Sequence, residues 1–204
     1  MLSTEMAHDA LPQYAPREAG FSATYTARLL LLVAGSKEHA WFGRYLKGGG
    51  KAGQTGISGG RQDEGEFPHI TACRETWEEC GLQLGEGFRL TTPWPFHTYL
   101  WREEGNIFMP RRRPVHFIAG VAWGVPQNSA EMDSWQHLPI AEVLARAAQE
   151  DAVRTRLARR GDNETPLAVA MAAVPRLVLP HVPELRLSPV VASALQRWIS
   201  RNDK

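Results

Sequence analysis

The stretch RETWEECG, Arg74–Gly81, sets three glutamates within five positions of a segment that reads as one helix. At about 100° per residue, Glu75, Glu78 and Glu79 stand at i, i+3 and i+4 and share a face. Like charges at that spacing weaken an isolated helix by about 0.2–0.5 kcal/mol per pair. Something outside the helix must therefore offset the crowding. Pro68 suits the first turn and Gly81 the stop, which predicts a helix over 68–80. Ile70, Cys73, Trp77 and Cys80 gather opposite the glutamates. The expectation is an apolar stripe toward the core and a carboxylate stripe facing away from it.

At 204 residues the chain has length for one well-packed domain with an extension. Residues 1–22 lack periodicity and read as an N-terminal arm. Residues 23–204 read as the domain, with a helical C-terminal extension from about 161. TYTARLLLLVAG, RLTTPWPFHTYLW and PVHFIAGVAWG are strand-like, whereas IAEVLARAAQEDAVRTRLARRG and PVVASALQRWISR are helical. Strands interleaved with helices predict an α/β layered fold. A net charge of +1 gives no electrostatic argument for nucleic-acid or membrane binding. The apolar run LLLLV is too short to span a bilayer, and the N-terminus lacks the pattern of a secretory signal. Cys73 and Cys80, seven residues apart on one helix, would lie about 10 Å from each other, beyond disulfide reach. A zinc cluster lacks its four ligands. The expected compartment is a reducing cytoplasm.

GGGKAG (Gly48–Gly53) fits the G-x-G-x-x-G dinucleotide fingerprint, but the QTGISGG that follows cannot open a helix. Ala52 after Lys51 also breaks the phosphate-loop pattern, which needs Ser or Thr there. The segment reads as a loop.

A wider pattern surrounds the glutamates. From Gly60 to Leu82 the chain reads G-x5-E-x7-R-E-x-x-E-E-x-G-L, with Glu66 as the first acidic position. This resembles the signature of the Nudix hydrolase family. The resemblance implies a three-layer α/β/α sandwich with a mixed sheet, and Mg²⁺ or Mn²⁺ as cofactor. Clustered carboxylates are hard oxygen ligands suited to such ions, and a cation would turn their repulsion into attraction. By resemblance, Glu75, Glu78 and Glu79 hold the metal, helped by Glu66 and the backbone carbonyl of Gly59, while Arg74 orients the carboxylates through charge-assisted hydrogen bonds. Two positions depart from the family's usual residues: Thr76 stands where a bulky aliphatic is common, and Ser58 where a proline often precedes the glycines.

The family's reaction is cleavage of a nucleoside diphosphate linked to another group, and a base must take the proton of the attacking water. Glu131 is the candidate base, ahead of Asp133 and Glu104. PWPF (Pro93–Phe96) partly resembles a motif of NADH pyrophosphatases, and Tyr99, 17 residues beyond Leu82, matches a tyrosine rule for dinucleoside polyphosphate hydrolases. Trp94, Phe96 and Tyr99 are therefore expected as surfaces for stacking a base, with Lys51 and Arg61 as phosphate contacts. The expected partner is a small-molecule nucleotide, dinucleotides preferred. Two alternatives stand beside it: a nucleotide-sensing, non-catalytic Nudix domain and an NAD-RNA decapping enzyme. The C-terminal stretch carries no recognisable chemistry; packing on the domain, a homodimer interface and a cover over the substrate are the roles open to it.

Overall fold

The computed structural model describes residues 25–47, 52–102, 112–182 and 185–202. The arm at 1–22, Lys51 and Glu104 lie outside the described residues.

The sheet is built on β1 (Thr26–Val33), whose leucine run is buried on both faces. Such a continuous apolar strand belongs in the interior of a sheet. It pairs in parallel with β7 (Arg112–Ala122) along its full length, from Thr26 opposite Val115 to Val33 opposite Ala122. The other edge of β1 is shared. β2 (His39–Tyr45) pairs at its C-terminal end through Leu32 and Ala40, and β4 (Gly59–Arg61) at its N-terminal end. β3 (Thr55–Gly56) extends from β2, while β5 (Phe88–Leu90) and β6 (His97–Arg102) pair with β7. β8 (Met132–Pro139) pairs with β2. One parallel pair among antiparallel ones makes the sheet mixed, as expected.

Alternation along β1 divides two cores. Ala27, Leu29 and Leu31 pack with Ala72 and Cys80 of α1 (Pro68–Cys80). Leu30 and Leu32 pack on the opposite face with Ile140 and Val143 of α2 (Ile140–Arg159) and with Val191, Ala194 and Leu195 of α4 (Pro189–Asn202). The result is α1, sheet, then α2 with α4: three layers. α3 (Leu167–Ala172) links α2 to the C-terminal segment.

That segment is integral to the second core. Arg146 and Glu150 form a buried ion pair on α2 at 3.0 Å. Arg146 donates to the carbonyls of Val178 and Leu179, and Glu150 accepts the backbone N–H groups of Leu185 and Arg186. Trp198 of α4 meets Phe96 edge to face at 5.1 Å and donates its indole N–H to the Lys37 carbonyl.

Two sequence expectations need correction here. RLTTPWPFHTYLW is not one strand, because Thr91–Phe96 bends between β5 and β6, where two prolines interrupt the ladder. Phe96 is not a stacking surface for substrate: it is 6% exposed and packs between Phe117 and Trp198, so neither ring face is open. β8 itself escapes a sequence reading, since only its ends are buried and its polar middle lacks the alternation of a half-buried strand.

Phe96→Ala should therefore lower the free energy of unfolding by about 3–5 kcal/mol, measured by urea denaturation, with KM for substrate unchanged. A raised KM at unchanged stability would return Phe96 to the substrate site.

Candidate active site

α1 begins at Pro68, with Phe67 extended before it, and ends at Gly81, which takes φ 70° and donates its N–H to the Trp77 carbonyl. The helix is oriented differently from the sequence expectation. Trp77 is 59% exposed, whereas Ala72, Thr76 and Glu79 face inward. The carboxylate stripe does not face away from the body of the fold. Glu79 is 5% exposed, Glu75 is half-buried and Glu78 alone is open to solvent. The reason lies in β4, whose glycines let its backbone come against this face. A Cβ on Gly60 would collide with the Glu75 carboxylate. Gly59 has φ 144°, and a Cβ there would strike the Ala27 carbonyl. With the helix this close, the Gly59 N–H donates to Glu79 Oε2 at 2.7 Å.

Arg74 ties the remaining acids together. Its Nε donates to Glu66 Oε1 at 2.8 Å, and its Nη1 to Glu75 Oε1 at 2.9 Å and Glu78 Oε2 at 3.1 Å. Nη2 reaches Glu66 Oε2 and the Arg61 carbonyl. Glu66 also accepts from the Thr71 hydroxyl and the Asp63 N–H. Burial alone would raise the Glu66 carboxyl, but these donors, led by Arg74, hold it below the usual range.

Glu79 behaves oppositely. Burial, reinforced by the charges of Glu75 and Glu131, pushes it up to about 8 against the pull of the Gly59 N–H and Arg28. Burial also raises Glu75, with Arg74 opposing and Glu78 and Glu131 adding to the rise. The charge of Glu131, just before β8 and some fifty residues along the chain, thus reaches both carboxylates. It is exposed, and its backbone is fixed by the Leu46 N–H on its carbonyl and the Ser129 hydroxyl on its N–H. Asp133 instead pairs with Arg44 through two hydrogen bonds at 2.8 and 2.9 Å.

These residues fit a hard divalent cation by donor type. Glu75, Glu78, Glu79 and Glu66 offer carboxylate oxygens, and the gap beside Gly60 leaves room for a carboxylate against backbone. Among the described residues no three acidic, histidine or cysteine side chains already converge on one point. Three of the four acids turn to Arg74 instead, so a cation would compete with that guanidinium for them.

The structure gathers Glu66, Arg74, Glu75, Glu78, Glu79, Gly59 and Glu131, with Arg61 exposed beside Gly60. It does not gather the aromatic set. Trp94 lies in the bend before β6, and Tyr99 on β6 packs against the α2–α4 core; β6 lies beyond β7, across β1 from β2 and β8. Sequence reasoning missed Arg28 and Tyr45. Arg28 is a buried cation on β1 that donates from one nitrogen to the Tyr45 hydroxyl and, at 3.2 Å, to the Ile57 carbonyl. Tyr45 donates to the same carbonyl at 2.6 Å. The available signal was one arginine inside the apolar run TARLLLLV.

The raised Glu79 carboxyl has a consequence for the metal-free protein. Its proton is held more tightly folded than unfolded, so this contribution to stability is full below the ordinary carboxylate range and is lost as pH rises toward 8. In EDTA, wild-type Tm should fall between pH 5 and 8, and Glu79→Gln should flatten that decline and exceed wild type at pH 8. Parallel Tm profiles for the two proteins would contradict the assignment.

A family model described as the NUDIX domain matches residues 24–158. No curated protein sequence matches the chain. Among solved structures, the fold is similar to the MutT protein from Methanosarcina mazei Go1 (TM-score 0.54, 12% identity, 88% of this chain and 95% of that one). It is also similar to RenU, a Nudix hydrolase from M. smegmatis (0.53, 16%, 88% and 85%), and to a C. elegans Ap4A hydrolase (0.51, 14%, 88% and 98%). The structural likenesses speak to fold. The domain match, the Gly60–Leu82 spacing and the gathered carboxylates agree on one conclusion: the chain belongs to the Nudix hydrolase family.

Proposed function

We propose that the protein is a Mg²⁺- or Mn²⁺-dependent pyrophosphohydrolase that cleaves a nucleoside diphosphate linked to another group, with dinucleotides the preferred substrates. The observation that carries this reading is the pair Glu75 and Glu79, desolvated together against the β4 backbone, with the charge of Glu131 acting on both. A structural ion-pair network has little use for a second buried carboxylate whose hydrogen bond comes from a backbone N–H, whereas a cation-binding site does.

Glu75, Glu78 and Glu79 would hold the cation, with Glu66 and the Gly59 carbonyl supporting. When bound, the ion supplies neutralisation of the diphosphate and acidifies a water. Arg74 keeps the acids in place by its fork of hydrogen bonds. Glu131, exposed and in reach of solvent, would take the water's proton. Arg61 beside Gly60 would meet a phosphate oxygen, as would Lys51. A cavity of about 340 Å³, lined by Phe42, Arg44, Thr55, Gln136, Val182 and Arg186, is large enough for a nucleoside-sized group. Its Phe42, Leu138 and Val182 belong to the core that packs α2 and α4. Trp94 and Tyr99 would serve the other end of a dinucleotide. Among the described residues no helix is long and apolar enough to cross a membrane.

The test is hydrolysis of a panel of NADH, ADP-ribose, diadenosine polyphosphates, CoA, dNTPs and NAD-capped RNA with Mg²⁺. One free nucleotide should be cleaved, with the rate falling about 10²-fold or more in Glu79→Gln, the loss of several kcal/mol of metal-assisted stabilisation. Tight nucleotide binding with no turnover by wild type would favour a sensor and overturn the reading.

A further inference from the structure

The two positions that depart from the box pattern, Ser58 and Thr76, meet in the fold. Ser58 is 1% exposed and Thr76 0%, and their hydroxyl oxygens lie 2.7 Å apart. Thr76 Oγ1 also lies 2.7 Å from the Ala72 carbonyl, which can only accept. The single Thr76 proton is thus committed to Ala72, and Ser58 must donate to Thr76. A directed chain runs from Ser58 to Thr76 to the helix backbone. Ser58 is itself fixed to the sheet, since its carbonyl accepts the Leu29 N–H at 3.0 Å. The chain therefore joins sheet to helix.

Its neighbours are the contacts of the site. Gly59, next along the strand, donates to Glu79, three residues after Thr76 on the helix. Gly60, the next again, lies against Glu75, one residue before Thr76. Positions 58, 59 and 60 thus meet 76, 79 and 75 in one row. Two hydroxyl oxygens sharing a proton sit 2.7 Å apart, whereas carbon atoms in the same places would rest at about 3.5–4.0 Å. The pair draws helix and strand about 1 Å closer than an apolar pair would.

We propose that the Ser58–Thr76 hydroxyl bridge sets the strand–helix separation at which Glu75, Glu79 and the Gly59 backbone close on a divalent cation. Both are positioning residues for metal affinity. The inference rests on the metal-dependent reading above, and its test separates the two.

Binding of Mn²⁺ is titrated without nucleotide by the EPR signal of the free ion, beside thermal unfolding in EDTA. Thr76→Val should weaken Mn²⁺ binding roughly tenfold and lower Tm, because it leaves the buried Ser58 hydroxyl with no acceptor. Ser58→Ala should lower Tm less, since Thr76 keeps its own acceptor. Thr76→Ser should bind Mn²⁺ like wild type. The double variant Ser58→Ala/Thr76→Val orphans no donor and should recover Tm, yet keep the roughly tenfold weaker binding, because no hydrogen bond then holds helix to strand at that spacing. A double variant that recovers Mn²⁺ affinity together with Tm would show the pair to be merely structural and overturn the proposal. So would Thr76→Val binding Mn²⁺ as tightly as wild type. A wild-type protein that takes up no Mn²⁺ would instead overturn the metal-dependent reading itself.

Discussion

The close approach of α1 to the backbone of β4 is the constraint on which the site depends. It strips water from Glu79 and partly from Glu75, and desolvation is the largest influence on both carboxyls. A carboxylate taken from water and set beside another acid is unfavourable unless something positive or hydrogen-bonding replaces the solvent. The Gly59 N–H does this in part for Glu79, and Arg74 for Glu75. The balance left over is electrostatic demand for a cation. The same approach explains why Gly59 and Gly60 carry no side chain, since a Cβ at either place would occupy space already filled by backbone or carboxylate.

The rest of the fold holds that approach in register. β4 pairs with the N-terminal end of β1, Gly59 opposite Arg28 and Gly60 opposite Ala27, so the strand that bears the site is fixed to the central strand of the sheet. Arg28 and Tyr45 both bond the Ile57 carbonyl, clamping the residues just before the glycines. β2 holds β8 along its far edge and so brings Glu131 to the acids. On the opposite face, α2 and α4 close the second core, and the buried Arg146–Glu150 pair pins the C-terminal segment that walls the cavity. Leaving either member of such a pair alone would be costly, so the pair specifies where that segment lies.

Much of this was legible in the residues. The α/β layering, the extent of α1 and its Gly81 stop follow from periodicity and capping. The shared face of Glu75, Glu78 and Glu79 follows from their spacing, whereas Glu66 and the choice of Glu131 come only with the family resemblance. What failed did so for physical reasons. Periodicity makes the apolar stripe the buried face of α1, but Trp77 is exposed and Glu79 buried, because two glycines on β4 make a carboxylate face the tighter fit. Side-chain polarity is a poor guide where backbone approaches that closely. Phe96 was read for its ring and serves instead to seat Trp198, a contact about a hundred residues away that no local pattern encodes. β8 is an edge strand whose polar middle hides it. The meeting of Ser58 with Thr76 needed the fold as well: each looked like a lone departure until the strand lay against the helix.

Burial beside β4 raises the Glu79 carboxyl to about 8, so a cation that binds there must displace its proton. Calorimetric titration of Mg²⁺ at pH 7, repeated in two buffers with different heats of ionisation, measures the protons released on binding. With the carboxyl at about 8, close to one proton per cation is expected from the wild type and close to none from Glu79→Gln. Binding with the same proton release in both proteins, or no binding of Mg²⁺ by the wild type, would contradict it.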